Sequence, residues 1–255
     1  MPQTSSPPTQ NKPIRRDDAG APANRLLAAM PDTEFRRWEP HLKLVEMSLG
    51  QVISEPGSEL GYAYFPLTAI VSLLYVMQDG ESAEIALVGN DGMLGITLFM
   101  GGNSTTIRAV VQSAGVGYRL PAGELMAEVA RGGATLRVLL LYTQSLLTQM
   151  TQTAACNRHH SLNQQFSRWL LLSFDRLCGD EMVMTQKLIS KMLGVTSDEV
   201  TAAALALSAS GAIGYRDGRI TLRDRAALEK TSCECYQVVK RECERLLPSA
   251  PRTNC

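Results

Sequence analysis

The stretch Thr185–Ile220, TQKLISKMLGVTSDEVTAAALALSASGAIGYRDGRI, decides how this chain is read. Leu188, Ile189 and Met192 give Gln186–Leu193 one apolar helical face. Gly194 ends that helix, because glycine takes the left-handed turn without steric cost. Thr196 and Glu199 form a capping box for a second helix, along which Val200, Ala203, Ala204 and Leu207 recur at helical spacing. Gly211 stops it, and Tyr215–Ile220, with Asp217-Gly218 at its centre, reads as a tight hairpin. Two short helices about a turn, followed by a wing, are the means by which many proteins lay a second helix in the major groove of DNA. Helix pairs also occur as plain packing units. The complete order (polar start, glycine turn, capped second helix, Asp-Gly wing) is what makes the DNA reading specific.

Working outward, His160–Leu177 reads as another helix, with Leu162, Phe166, Trp169, Leu170 and Phe174 apolar. Before it, Leu136, Leu139, Thr143, Leu146, Met150 and Thr153 alternate spacings of three and four, the seam of a two-helix packing. A second stripe, Leu140, Leu147 and Ala154, lies beside the first. One stripe can face the chain's own domain and the other a second copy, so a homodimer is expected through Leu136–Thr153. Between His41 and Leu120 the period changes. Seven short β-type runs (Leu42–Met47, Gln51–Ile53, Tyr62–Phe65, Ile70–Met77, Ala83–Val88, Ile107–Gln112 and Val116–Leu120) are separated by Gly-, Pro- and Asp-Gly-containing turns, as in a β barrel, roll or sandwich. Arg25–Trp38 reads as one short amphipathic helix, and residues 1–24, rich in Pro, Ser, Thr and Gln, as a disordered tail.

The 255 residues suggest two domains. With 25 basic and 25 acidic residues the formal net charge is zero, so attraction to DNA must come from local basic positions. No apolar run is long enough to span a bilayer and no signal peptide is visible, which places the chain in the cytoplasm by default.

Several local motifs resemble the Crp/Fnr family of bacterial transcription regulators across roughly Leu26–Pro248. These are Tyr64-Phe65-Pro66, Asp79-Gly80, Gly89-Asn90-Asp91-Gly92-Met93-Leu94-Gly95, Ser104–Val111, Arg158-His159-His160-Ser161-Leu162 and Arg168-Trp169-Leu170-Leu171. The resemblance implies an α+β fold: an N-terminal β-roll sensor domain (25–133), a long dimerisation helix (134–157), a C-terminal winged helix-turn-helix (158–248) and a tail (249–255). It also implies a homodimer on double-stranded DNA, answering to an unknown effector, with RNA polymerase as a further partner.

Cyclic-nucleotide binders of that family place Gly-Glu for the ribose and Arg-Ser or Arg-Thr for the cyclic phosphate. Here Gly95 is followed by Ile96, and Asn103 precedes Ser104. A buried phosphate without a cation is costly, so cyclic nucleotides are not expected to bind. The candidate effector pocket is Gly92, Gly95, Ile96, Asn103, Ser104 and Arg108, with Arg108 read as a surface or structural residue. Family members carry arginines on the recognition helix for guanine. The matching positions here are Ser197 and Ala202, so base contacts fall to Ser197, Asp198, Thr201 and Ala202, and phosphate contacts to Thr185, Gln186, Lys187, Lys191, Arg216 and Arg219. The competing reading is a ligand- or partner-binding regulatory module that has lost sequence-specific DNA recognition.

No nucleophile elbow, phosphate loop or oriented Cys–His pair marks an enzyme, and no catalytic residue is assigned. The six cysteines (Cys156, Cys178, Cys233, Cys235, Cys243 and Cys255) read as free thiols of a cytoplasmic chain. The one-residue gap in Cys233-Glu234-Cys235 is not a usual zinc spacing, and Cys156–His160 reads as capping and surface residues at a helix junction. Neither metal nor cofactor is expected from them.

Overall fold

A computed structural model describes residues 23–102, 104–177 and 179–247. Strands β1 (Lys43–Met47), β2 (Val52–Ser54), β3 (Tyr62–Pro66), β4 (Ile70–Val76), β5 (Ser82–Val88), β6 (Arg108–Ser113) and β7 (Gly115–Pro121) occupy all seven expected runs. They form two antiparallel sheets, β1-β7-β3 and β2-β6-β4-β5. Period-two alternation sends Ala63, Phe65, Val71, Leu73, Ala86, Val88, Ala109, Val111, Tyr118 and Leu120 into the space between them. Where β7 starts, the backbone of Thr68-Ala69 crosses so close that a Cβ at Gly115 would lie 2.5 Å from the Ala69 nitrogen.

Two expectations at the N-terminal edge need correction. The helix read over Arg25–Trp38 is broken into α1 (Arg25–Ala28) and α2 (Asp32–Trp38), because Pro31 sits extended between them and cannot donate to a continuing helix. Asn24, assigned to the tail, is fully buried. Its Oδ1 caps α1 by accepting from the Leu26 and Leu27 amides, and its Nδ2 donates to the carbonyls of Pro66 (2.8 Å) and Gly92 (2.9 Å). Residues 1–22, the rest of that tail, lie outside the described residues.

After the short α3 (Ile96–Phe99) and α4 (Ala122–Ala130), the 26-residue α5 (Ala134–His159) runs along the roll. Its buried side carries Leu139, Tyr142, Thr143, Leu146, Gln149, Thr153 and Cys156. Most of the stripe assigned to the dimer seam is therefore spent inside the protomer. Leu139 is completely covered, and Leu146 and Met150 face the roll. The neighbouring stripe is the one left open: Leu140 is 52% and Leu147 54% exposed, with Gln144, Thr151 and Ala154 also exposed between and beyond them. These five positions alternate four and three apart, which is itself a two-helix seam.

The C-terminal unit contains α6 (Leu162–Phe174), β8 (Glu181–Val183), α7 (Gln186–Leu193), α8 (Ser197–Ala209), β9 (Ile213–Arg216), β10 (Arg219–Leu222), α9 (Arg225–Thr231) and α10 (Glu234–Leu246). Its core, built on Phe166, Trp169, Ile189, Met192, Ala204 and Leu207, is continuous with Ile70, Leu74 and Leu87 on the outer face of the roll. Polar groups cross the same junction. Ser72 donates to Gln112 (2.7 Å), Gln112 to Ser173 (3.1 Å), and Gln149 to the Leu87 carbonyl (3.0 Å). Arg176 pairs with Asp91 (2.7 Å) and reaches Gln149 (3.1 Å) and the Leu172 carbonyl (2.7 Å).

Glu84 is buried at this junction, and one of its carboxylate oxygens has no hydrogen-bond partner among the described residues. Desolvation pushes its pKa up to about 8, against the opposing pull of the nearby Ser72 and Trp169 side chains and the charges of Arg168 and Arg176. The folded state thus keeps the proton that the unfolded chain has lost. The contribution is fully present below the unfolded pKa of about 4.5 and is lost as pH rises towards 8, at about 1.4 kcal/mol per pH unit. Glu84→Gln should flatten this dependence and raise stability at pH 8, as read by urea unfolding at several pH values. An unchanged slope would show that Glu84 is already ionised in the fold.

Candidate DNA interface, effector cavity and thiol cluster

The helix-turn-helix is held by the local chemistry read in the sequence. Thr185 caps α7, its Oγ1 accepting from the Leu188 amide at 3.2 Å. Gly194 adopts φ 66° and ψ 36° at the C-terminus. Thr196 and Glu199 close the capping box of α8, and the hydrogen bonds from Thr196 hold the Glu199 carboxyl below its ordinary pKa. Val200, Ala203, Ala204 and Leu207 bury one side of α8 against α6 and α7. The opposite side presents Ser197, Asp198, Ala202, Leu205 and Ala206, with Thr201 half-buried beside them. Leu205 is 58% exposed, which leaves an apolar side chain on this outward face.

The side chain of Thr201 is partly committed, since its Oγ1 donates to the Ser197 carbonyl at 2.8 Å. What it still offers outward is a methyl group and lone pairs. The wing is a three-stranded sheet, β8-β10-β9, with Asp217 and Gly218 both at positive φ in the turn (51° and 74°). Its first strand, Glu181–Val183, was not anticipated from sequence.

The basic positions divide into two groups. Lys187 and Lys191 are exposed one turn apart on α7, and Arg216 stands 92% exposed at the wing tip, 3.5 Å from Asp217. Arg219, by contrast, is paired with Glu181 on the adjacent strand. Gln186 is half-buried in the first turn of α7.

In the roll, a cavity of about 70 Å³ opens between the sheets and α5. Ile53, Leu60, Leu73, Met93, Ile107 and Met150 make most of its wall, with Ser54, Tyr62, Tyr64, Thr97 and Thr105 as its polar groups. Of the expected pocket residues, Gly95 and Ile96 do line it. Gly92 instead lies under the ring of Tyr142, where a Cβ would come within 2.4 Å of it. Ser104 is an exposed bridge partner of Glu59, and Arg108 is held by Glu55 at 2.7 Å. Asn103 lies outside the described residues.

The cysteines of the described residues are free thiols, as expected, but the reading of Cys156–His160 as capping and surface residues is corrected by the fold, since Cys156 is fully buried. α10 packs back along α5, so that Cys156, His160, Cys233 and Cys235 present their ligand atoms within 4.8 Å of one another. The Cys156 and Cys233 sulfurs are 3.4 Å apart, and the Cys235 sulfur is 3.6 Å from His160 Nδ1. The hydrogen bond between Cys156 and Cys233 raises the former thiol and lowers the latter, while burial raises Cys235. Within each segment the signal was a short spacing, Cys156-x₃-His160 and Cys233-x-Cys235. Nothing local joins the two pairs across 77 residues. Cys243 lies outside the cluster, and Cys178 and Cys255 outside the described residues.

The chain thus sets a β-roll and a long helix before a winged helix-turn-helix, and comparison with known proteins agrees. Residues 164–231 match the Crp-like helix-turn-helix domain. FixK2 from Bradyrhizobium japonicum is similar in structure, with a TM-score of 0.63 at 19% identity over 75% of this chain and 98% of its own. A CRP-family transcriptional regulator from Thermus thermophilus gives 0.60 at 18% identity, covering 74% and 96%. The regulator CLP of Xanthomonas campestris, described as responsive to c-di-GMP, gives 0.59 at 13% identity, covering 76% and 100%. No curated protein matches the sequence. The chain has the fold of the Crp/Fnr transcription regulators and carries a Crp-like helix-turn-helix domain. Nothing in these likenesses favours a partner-binding module without DNA recognition.

Proposed function

We propose that the protein acts in the cytoplasm as a homodimer on a near-palindromic DNA site, with an effector cavity in the β-roll and RNA polymerase as a further partner. Among the described helices, none is long and apolar enough to cross a membrane. The observation that carries the DNA reading is the outward face of α8, fully capped and left uncovered between two exposed lysines on α7 and the arginine at the wing tip. Docked through that face, two copies would enter successive major grooves with half-sites about one helical turn (~34 Å) apart.

Direct readout on this helix is apolar and weakly polar. Asp198 suits a cytosine amino group, while the Thr201 methyl, Ala202 and Leu205 suit thymine methyls. Lys187, Lys191 and Arg216, with the amino end of α7 at Thr185 and Gln186, supply phosphate contacts. Arg219 contributes less because Glu181 already holds it. In a salt titration of DNA affinity, Lys187→Ala and Arg216→Ala should each weaken binding evenly across sequences and flatten the slope by about one counterion. Ala202→Arg should strengthen binding by restoring a guanine fork. If all three leave affinity for every genomic fragment unchanged, α8 does not lie in the groove.

The cavity favours a small apolar effector. Its wall carries no cationic side chain among the described residues, and Arg108 is turned to Glu55. Cyclic AMP and cyclic GMP should therefore give no heat in calorimetry at micromolar concentrations, and micromolar binding of either would overturn the assignment. Leu146 and Met150 of α5 line the cavity, and Met93 beside them accepts a hydrogen bond from Tyr142 at 2.9 Å. A ligand there would push directly on the helix that carries both the dimer stripe and the junction to the DNA-binding unit.

A further inference from the structure

We infer that Cys156, His160, Cys233 and Cys235 form a closed Cys₃His site for one zinc ion, which clamps both ends of the winged helix-turn-helix to the dimerisation helix. Tetrahedral zinc with metal–sulfur bonds of about 2.3 Å holds neighbouring ligand atoms about 3.8 Å apart. The 3.4 Å between Cys156 and Cys233 and the 3.6 Å between Cys235 and His160 Nδ1 approach that edge length, and all four atoms lie within 4.8 Å. This volume suits a single ion and not a multi-iron cluster. Three thiolates and one imidazole are the soft, four-coordinate set that selects zinc, and a set complete in protein ligands is structural, since no position is left for water.

The surroundings are those of a metal site. All three cysteines are at least nine-tenths buried. His160 offers Nδ1 to the cluster while its Nε2 lies 3.3 Å from Glu234 Oε2, the outer carboxylate that fixes the tautomer and direction of many zinc-bound imidazoles. Cys233 is the N-cap of α10, where free backbone amides favour a thiolate. One Zn²⁺ with three thiolates leaves a single negative charge, and the charge of the buried Arg168 acts on Cys156. The spacing that looked wrong for zinc in sequence is explained by the helix end. Cys233 at the cap and Cys235 in the first turn both reach towards one point at the end of α5, where Cys156 and His160 lie one turn apart.

The two ligand pairs bracket residues 161–232, the span that holds α6 to α9 and the wing. A metal here would anchor that unit to α5 at its entry and exit together. Metal binding stands on this geometry alone, whereas its effect on DNA rests on the DNA-binding reading above.

The test uses the full chain, expressed without a metal-binding tag and purified with reductant. Elemental analysis should find about one zinc per chain, and cobalt added to the stripped protein should give thiolate charge-transfer bands with the ligand-field bands of a tetrahedral site. Cys235→Ser should lose the metal, while Cys243→Ser, outside the cluster, should keep it. Because Cys235→Ser risks misfolding, two milder variants accompany it. His160→Cys should retain zinc with stronger cobalt charge transfer, and Glu234→Gln should weaken zinc by about tenfold in a chelator competition. Folded protein with negligible zinc and no cobalt bands overturns the site, as does metal content indifferent to Cys235→Ser. On a DNA fragment bound by the zinc form, stripping should lower affinity by about tenfold or more and zinc should restore it. Equal affinities overturn the clamp. Absence of DNA binding in both forms counts against the reading of α8 and leaves the metal result standing.

Discussion

Aspartate at both Leu140 and Leu147 should convert the proposed dimer to monomers without unfolding the chain. The two leucines lie one heptad apart on the open side of α5, each about half exposed in the isolated protomer. Burying a leucine is worth about 1.5–3 kcal/mol, and a two-fold seam buries four of them, so the stripe supplies most of what a helix-pair interface needs. Carboxylates there face each other across the axis and must be desolvated. Sedimentation at micromolar concentration should show monomers with the far-ultraviolet circular dichroism of the parent protein. Affinity for a palindromic site should fall towards that of a half-site. The same change at Leu139 should behave differently. That residue is completely buried against the roll, and an aspartate there should cost the fold itself. A Leu140→Asp/Leu147→Asp variant that still sediments as a dimer would show that the subunits meet elsewhere.

Periodicity could not separate these two outcomes. Both stripes of α5 repeat at three and four, and the richer one, Leu139-Thr143-Leu146-Met150-Thr153, looks the better seam. Only the position of the β-roll, set by strand pairing some 20 to 90 residues earlier in the chain, assigns that stripe to the interior. The winged helix was legible because its determinants are local. A glycine at positive φ, a threonine and glutamate three residues apart, and an Asp-Gly turn each act within a few residues of themselves. The β-roll was legible for the same reason, through alternation and turns. Residues that acquire their role from a distant partner were not. Arg219 looked available until Glu181 took it, and the thiols come together only where α10 returns to α5. Leu205 was passed over because an exposed leucine on an amphipathic helix becomes visible only once the buried face is known.

The junction between the roll and the winged unit should prove the most sensitive place in the molecule. Arg176 is buried there, paired with Asp91 and bonded to Gln149 and the Leu172 carbonyl. Beside it a Cβ on Gly89 would lie 2.7 Å from the Arg176 Cβ, so the stem of this side chain fills the space that the glycine leaves. Arg176→Ala would leave Asp91 without its counter-charge and open a void along the stem. Breaking a buried pair from one side costs about 3–5 kcal/mol, much of it the unpaired charge that remains. With about 2–4 °C of Tm per kcal/mol for a chain of this size, the melting temperature should drop by roughly 6–20 °C. Asp91→Asn in the same background should recover part of the loss, because a neutral amide is cheaper to leave in that place. Additivity of the two changes in a double-mutant cycle would mean that the pair is not coupled. Because Arg176 belongs to the winged unit while Asp91 and Gln149 belong to the roll and to α5, the single change should also free the winged unit from its dock. Amide exchange would then quicken in α6 and α7 before it does in the sheets. A protein whose sheets and winged unit loosen together would instead behave as one cooperative body, and an effector in the roll would have to act on DNA affinity by some route other than this junction.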